Sequence, residues 1–174
     1  ILASGKGSRL KNETKNIPKC LVKVNKISII DYNKKFFSKF KNITIVTGYK
    51  SKLIQKKLYY RNFNFVKNKN FNTTNMVYSF FCASKYINKS VIVCYADIIF
   101  DHKIFRLLKK NCTSIIVKRN WYEYWKQRMH VNKIFNDAED LVIKKKYVKS
   151  IGGKIKKKNI TKNKYIEILK ITLK

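Results

Sequence analysis

The chain has 174 residues, of which 41 are Lys or Arg and nine are Asp or Glu, so its formal net charge is +32. This length predicts one domain with a core of its own, and no apolar run approaches the roughly 18 residues of a membrane span. The positive charge is almost all lysine and is spread over the whole chain, which argues against a localised nucleic-acid motif.

The four cysteines are Cys20, Cys82, Cys94 and Cys112. They have no C-x-x-C spacing and no adjacent histidine pair, so we expect free thiols. The apolar start of the chain is two residues long and leads into a glycine loop, which differs from a signal peptide. We therefore expect a cytoplasmic protein that associates with no membrane and no specific nucleic acid.

Two glycines one residue apart, Gly5 and Gly7, follow the apolar start and precede Arg9. This pattern predicts a strand that feeds a tight loop, where glycine permits positive φ and a close ligand. Loop N–H groups can bind an anion, and Arg9 and Lys19, the latter directly after Pro18, add charges suited to phosphate. The spacing matches neither G-x-G-x-x-G nor the Walker loop, and an ordinary strand-to-helix turn is the alternative.

The first 120 residues alternate predicted strands with helices of about ten residues. Beyond the apolar start, the predicted strands are 21–24, 42–47, 62–66, 91–95 and 114–117, and the predicted helices are 28–40, 51–60, 75–87 and 101–110. This alternation is typical of a mostly parallel, Rossmann-like α/β sheet flanked by helices. In such sheets ligands bind at the carboxyl ends of the strands, where both the glycine loop and Asp97 are expected to lie.

Asp97 follows the apolar strand 91–96 and is the candidate metal ligand. A single carboxylate suits Mg²⁺, which takes one or two protein carboxylates together with phosphate oxygens and water. The alternative is a helix cap or a surface side chain, but Asp101 is the better cap for the helix that follows.

The pattern of predicted elements changes after residue 120. Three strands are predicted, at 141–143, 147–151 and 165–172, as a small antiparallel subregion, and the lysine-rich stretch 154–164 is expected to be an exposed loop. Trp121 and Trp125 are one helical turn apart. They could line a ligand pocket or hold an ammonium group by cation–π attraction, or they could be core anchors.

The opening run Leu2-Ala3-Ser4-Gly5, continued by Arg9-Leu10 and Pro18-Lys19-Cys20-Leu21, resembles the signature of the nucleotidyltransferases that make nucleoside-diphosphate-activated sugars and alcohols. The resemblance spans nearly the whole chain and implies a glycosyltransferase-A-like fold. It implies that Lys19 and Arg9 act on phosphate charge and that Asp97 binds the catalytic Mg²⁺. The nucleotide-binding residues that it implies are Leu2, Ala3, Ser4, Gly5, Lys6, Gly7 and Ser8, and a second, more specific resemblance adds Asn75 and Ser79.

Two further elements resemble the branch that cytidylylates phosphocholine or aminoethylphosphonate. One is the N-x-x-Y-S element from Asn75 to Ser79, for which a plain helix cap is the alternative. The other is a W-x-x-x-W-x-x-R…D-A-E arrangement, and the acceptor-binding residues it implies are Trp121, Trp125, Arg128, Asp137 and Glu139. Asn120 stands where this branch has an acid, which argues against a simple quaternary ammonium substrate.

The sequence therefore predicts a Mg²⁺-dependent cytidylyltransferase that uses CTP and a small phosphorylated acceptor: phosphocholine, aminoethylphosphonate or an amino-acid phosphate. We expect a single nucleotidyltransferase domain over 1–174, truncated at its carboxyl end relative to the family. Its nucleotide-binding part is 1–119 and its acceptor-binding part 120–174. A sugar-1-phosphate nucleotidyltransferase and a non-catalytic polyanion-binding module are the alternatives, and homodimerisation is left open.

Overall fold

The computed structural model describes residues 1–59, 61–88, 90–109, 112–127, 129–155 and 163–172. The chain divides into two compact units, which are described separately. The first comprises Ile1–Ser114 and Leu169–Lys174, and the second comprises Ile115–Ile168.

The chain alternates strands and helices over its first two thirds. The strands are β1 (Leu2–Ala3), β2 (Lys23–Val24), β3 (Ile27–Ser28), β4 (Thr44–Thr47), β5 (Asn64–Lys67), β6 (Ser90–Cys94), β7 (Ser114–Arg119), β8 (Glu139–Lys144), β9 (Tyr147–Lys154) and β10 (Asn163–Thr172). The α-helices are α1 (Ile29–Tyr32), α2 (Lys34–Phe37), α3 (Ser51–Leu58), α4 (Met76–Cys82), α5 (Trp121–Lys126) and α6 (Val131–Asp137). Shorter 3₁₀ helices cover Ser8–Thr14, Lys19–Leu21, Ser84–Tyr86 and His102–Lys109. Among the described residues, no helix has the length and apolarity that crossing a bilayer requires.

The sheet that carries the glycine loop is parallel, as predicted. Its strand order is β1–β4–β5, and Leu2 and Ala3 pair with Val46 and Thr47. On its other side Leu2 forms a parallel bridge with Tyr95, and the N–H of Ala96 donates to the Leu2 carbonyl at 2.9 Å. The carboxyl ends of β1 and of the β6 segment therefore lie side by side.

The antiparallel subregion is smaller than predicted. β8 and β9 form a two-stranded antiparallel hairpin, whose turn residues Lys145 and Lys146 both have positive φ. The prediction that the third strand belongs with them was wrong, because β10 lies between β6 and β7 in the strand order. The two-residue turn pairs β8 directly with β9, and it lacks the Asn-Gly signal that usually reveals such a hairpin in a sequence.

The single helix predicted over 28–40 is also interrupted. Ile27–Ser28 pairs with β2 instead, and α1 and α2 are separated at Asn33. The Asn33 side chain is buried, with 2% of its surface exposed, and its Nδ2 donates to the Ile98 carbonyl at 2.7 Å. The helix therefore breaks at a residue, Asn33, whose side chain makes a hydrogen bond to a distant part of the chain.

Each unit has its own apolar core. In the first unit Ile30, Ile45 and Ile54 are almost fully buried, and the ring of Phe36 packs edge-on against Phe100 at 4.8 Å between centroids. The core of the second unit includes a cluster of Trp121, Trp125, Ile134, Ala138 and Ile155.

A partly buried carboxylate, Asp31, joins α1 to α3. Its oxygens accept a hydrogen bond from the Ser28 hydroxyl at 2.6 Å and lie 2.9 Å from Lys57 Nζ and 3.3 Å from Lys34 Nζ. Burial by itself raises the pKa of Asp31, but the Ser28 hydroxyl and the two ammonium groups outweigh it and hold the pKa below its ordinary value.

We expect Asp31→Asn to lower the free energy of unfolding at pH 7 by on the order of 1 kcal/mol, because it removes a charge-assisted hydrogen bond and two ion pairs. A lowered carboxyl pKa contributes stability that is full above the unfolded pKa of about 4 and is lost as the pH falls through the folded pKa. Urea unfolding of both proteins at pH 7 and pH 3 measures this difference, which should shrink at the lower pH. Glu123→Gln, which breaks an exposed pair with Lys126, is the control, and an equal loss there would contradict the role of Asp31.

Candidate active site

A cavity of about 310 Å³ lies at the carboxyl ends of β1 and β6, within the first unit. The glycine loop, the turn at Lys19, the start of α4 and the residues after β6 all contribute to its wall. The lining residues are Leu2, Ala3, Ser4, Gly5, Gly7, Ser8, Arg9, Pro18, Lys19, Cys20, Phe71, Thr74, Asn75, Met76, Ser79, Tyr95, Ala96 and Asp97. The structure therefore brings together every predicted catalytic, metal and nucleotide residue except Lys6, which is exposed outside the lining.

Gly7 is the glycine that the loop conformation requires. It has a φ of 68°, and a Cβ there would lie 2.8 Å from the Lys19 Cβ and 3.2 Å from a Thr14 methyl carbon. The Gly7 carbonyl accepts hydrogen bonds from Leu10 N–H and the Thr14 hydroxyl, each at 2.9 Å. The missing side chain thus allows Lys19 to pack directly against the loop, whereas Gly5 faces open space.

A second close approach holds the base of the loop. Gly48 follows β4, and a Cβ there would lie 2.6 Å from the Ser4 carbonyl oxygen and from the Phe71 Cβ. The N–H of Tyr49 donates to the same Ser4 carbonyl at 3.0 Å, and its hydroxyl donates to the Lys15 carbonyl at 2.6 Å. Residues at the end of β4 therefore anchor both ends of the loop.

Lys19 and Asp97 form an ion pair inside the cavity. Lys19 Nζ lies 2.5 Å from Asp97 Oδ2, and the two side chains are 38% and 25% exposed. The residue that directly follows Asp97 is held in place as well, because the Asn33 side chain donates to the carbonyl of Ile98. The geometry thus joins a cation suited to phosphate with a carboxylate suited to a hard cation.

The donor set is compatible with Mg²⁺ in a nucleotide site but not with a closed protein cage. Asp97 provides one partly exposed carboxylate, and the described residues contain no cluster of three or more His, Cys, Asp or Glu side chains. Mg²⁺ is commonly held in this way, by one or two carboxylates with phosphate oxygens and water.

Asn75 and Ser79 stand at the wall formed by α4. The Asn75 side chain is the helix cap, since its Oδ1 accepts from the N–H groups of Val77 and Tyr78 at 3.0 and 3.1 Å. Ser79 is 4% exposed and its hydroxyl donates to the Asn75 carbonyl at 3.2 Å. Both residues also line the cavity, so the capping role and a nucleotide contact are compatible.

In the second unit two of the predicted acceptor-binding residues, Trp121 and Trp125, are part of the core, and a third, Asp137, is bonded to it. Trp121 and Trp125 are 1% and 8% exposed, and the Trp125 indole N–H donates to Asp137 at 3.0 Å. The ammonium group of Lys164 lies 5.8 and 5.0 Å from the two indole rings. The burial of both rings favours the alternative that they are core anchors. The cation over the rings is the side chain of Lys164. Glu139 is exposed at the start of β8, and Arg128 lies outside the described residues.

Several lining residues were not predicted from the sequence. Cys20 stands within a motif whose other members were chosen and Thr74 directly precedes one, whereas Phe71 and Tyr95 carry no local signal. A larger cavity of about 730 Å³ opens at the amino ends of β1, β4 and β6, and its described lining includes no acidic side chain. It offers no counterpart to the pair formed by Lys19 and Asp97.

The thiol of Cys20 faces this site in its neutral form. Burial, together with the negative charge of Asp97, raises the pKa of Cys20 to about 12. Cys112, by contrast, is exposed, and all four cysteines are free thiols.

We expect iodoacetamide at pH 8 to alkylate Cys112 much faster than Cys20, because only the thiolate reacts and Cys20 is both buried and protonated. Peptide mapping by mass spectrometry after timed quenching measures the two rates. Alkylation in guanidinium chloride, where both thiols should react alike, is the control. Equal rates in the folded protein would contradict the position of Cys20.

Comparison with known proteins identifies the family of this chain. Residues 1–147 match the model of the MobA-like NTP transferase domain. A CTP:phosphoglutamine cytidylyltransferase of Campylobacter jejuni is 32% identical over 183 residues, which cover 99% of this chain and 72% of the relative.

Among solved structures, the inositol-1-phosphate CTP transferase from T. maritima has a TM-score of 0.75 at 19% identity, covering 98% of this chain and 68% of that one. The CTP:phosphocholine cytidylyltransferase from Streptococcus pneumoniae has a TM-score of 0.64 at 21% identity, covering 99% and 69%. The predicted fold and family are confirmed: the chain belongs to the MobA-like NTP transferase family and is a nucleotidyltransferase.

Proposed function

We propose that this nucleotidyltransferase transfers CMP from CTP to a small phosphorylated acceptor in a Mg²⁺-dependent reaction that releases pyrophosphate. The observation that carries the proposal is the meeting of the glycine loop, Lys19 and Asp97 in one cavity. The relative that is 32% identical supports CTP as the nucleotide.

In the proposed step an oxygen of the acceptor's phosphate or phosphonate group attacks the α-phosphorus of CTP. A new phosphorus–oxygen bond forms while the bond between the α-phosphorus and its bridging oxygen to the β-phosphate breaks, and pyrophosphate leaves. No covalent protein intermediate is needed, so the protein contributes positioning and charge neutralisation.

The residues that line the cavity divide this work. The loop from Gly5 to Ser8 surrounds the triphosphate, with open space at Gly5 and with backbone N–H groups as donors. Lys19 offsets charge on the reacting phosphates, and Arg9 offsets charge on the leaving pyrophosphate. Asp97 would hold Mg²⁺, which would supply positive charge at the phosphate oxygens.

The ion pair between Lys19 and Asp97 fits this division. Each group neutralises the other at 2.5 Å, and in the loaded enzyme Lys19 would instead contact phosphate and Asp97 would hold the metal. The two partly exposed charges therefore already have a partner before the nucleotide binds.

The acceptor that we propose is a phosphorylated amino acid rather than a quaternary ammonium compound. The faces of Trp121 and Trp125 are covered by the ammonium of Lys164, so a second cation there would meet charge repulsion. We retain residues 120–174, with Arg128 and Glu139, as the acceptor-binding part of the proposal.

A substrate panel tests the function directly. We expect pyrophosphate release with CTP and Mg²⁺ when phosphoglutamine is the acceptor, and much slower release with phosphocholine, with aminoethylphosphonate, or with UTP, GTP or dTTP as the nucleotide. Coupled detection of pyrophosphate measures all arms, and EDTA provides the metal-free control. Faster turnover with a sugar 1-phosphate and another nucleotide would assign the protein to the sugar branch instead. If none of the nucleotides supports turnover and the protein binds polyanions with an affinity that collapses in salt, the result would support a non-catalytic module.

We expect Lys19→Ala to lower turnover by about 10²–10³-fold, because it removes the main positive charge beside the reacting phosphates. Steady-state kinetics with saturating CTP and Mg²⁺ measures the loss. Lys23→Ala is the matched control, since Lys23 is an exposed lysine four residues further on that does not line the cavity. An unchanged rate for Lys19→Ala would remove Lys19 from the mechanism, and thermal unfolding of both variants shows whether they fold.

A further inference from the structure

Asn68 is a fully buried amide behind the α4 wall of the cavity. It directly follows β5, is 1% exposed, and its N–H donates to the Thr47 carbonyl at 2.8 Å. Its side-chain Oδ1 accepts from the Asn70 N–H at 2.9 Å. Because a backbone N–H can only donate, this bond fixes which way the amide points.

The other end of the same amide binds two hydroxyl groups. Nδ2 donates to Thr74 Oγ1 and to Ser79 Oγ, both at 3.0 Å. The amide therefore uses both of its hydrogens on residues that line the cavity.

Neither hydroxyl has a proton left for a ligand. The Thr74 hydroxyl donates to the Asn70 carbonyl at 2.7 Å, and the Ser79 hydroxyl donates to the Asn75 carbonyl at 3.2 Å. A hydroxyl has one donor hydrogen and two acceptor lone pairs. With the hydrogen and one lone pair already engaged, each oxygen can only accept a further hydrogen bond.

We propose that Asn68 is a positioning residue that makes Thr74 and Ser79 obligate acceptors and so selects a nucleobase with an exocyclic amino group. Cytosine carries two N–H hydrogens on N4, whereas uracil and thymine carry a carbonyl oxygen at the same position. A carbonyl there would face lone pairs and leave the wall's acceptors without donors, a mismatch that binding sites reject strongly. This inference rests on the proposed function and names the origin of its preference for CTP.

The test is the ratio of kcat/KM for CTP to kcat/KM for UTP, measured on each enzyme preparation. The ratio does not depend on the fraction of folded enzyme, so a merely structural loss leaves it unchanged. We expect Asn68→Ala to lower the ratio about 10-fold, because a hydroxyl that the amide no longer holds can turn its hydrogen away from the Asn70 or Asn75 carbonyl and donate it to a carbonyl oxygen of the base. Ser79→Ala and Thr74→Val remove one acceptor each and should lower it as well.

Asn33→Ala is the matched control. Asn33 is also a buried asparagine with a hydrogen bond to a carbonyl, but it does not line the cavity, so its loss should leave the ratio unchanged. If the wild type prefers CTP and Asn68→Ala has the same ratio as the wild type, the inference is overturned. If that variant does not fold, an unchanged ratio in both Ser79→Ala and Thr74→Val overturns it. A wild type with no preference for CTP contradicts the proposed function itself.

Discussion

The parallel pairing of a two-residue strand determines where the site forms. Leu2 and Ala3 are paired with β4 on one side, and Leu2 is bridged to Tyr95 on the other. All three segments run in the same direction, so the loop after β1 and the residues after β6 leave the sheet at adjacent points. The contact between Lys19 and Asp97, which are 78 positions apart, follows from this register.

Tight packing then gives the loop its shape. Gly7 brings the Lys19 stem against the loop, and Gly48 brings the end of β4 against the Ser4 carbonyl. Both approaches would place a Cβ within 2.8 Å of another atom, so close packing depends on the absence of two side chains. The cavity is thus bounded by backbone near the phosphate-binding loop and by polar side chains along α4.

Charge is organised locally in a chain whose overall balance is strongly positive. Most lysines contribute to a solvated surface, whereas Lys19 and Asp31 belong to specific pairs, with Asp97 and with Lys57 respectively. The net charge of +32 therefore carries little information about function. The cation–π contact of Lys164 in the second unit illustrates the same point, since it uses a lysine from a stretch that looks featureless in the sequence.

The sequence by itself predicted the parallel α/β class, the glycine loop and more than half of the residues that line the candidate site. These follow from local periodicity and from residue types whose chemistry is specific, such as Gly7, Lys19 and Asp97. Only the tertiary structure decided the break at Asn33, the position of β10, and the burial of Trp121 and Trp125. The hydrogen bonds of Asn68 belong to the same group. Each of these features depends on a partner that is distant in the chain or on a turn that lacks the usual residues. Local sequence patterns cannot reveal such partners.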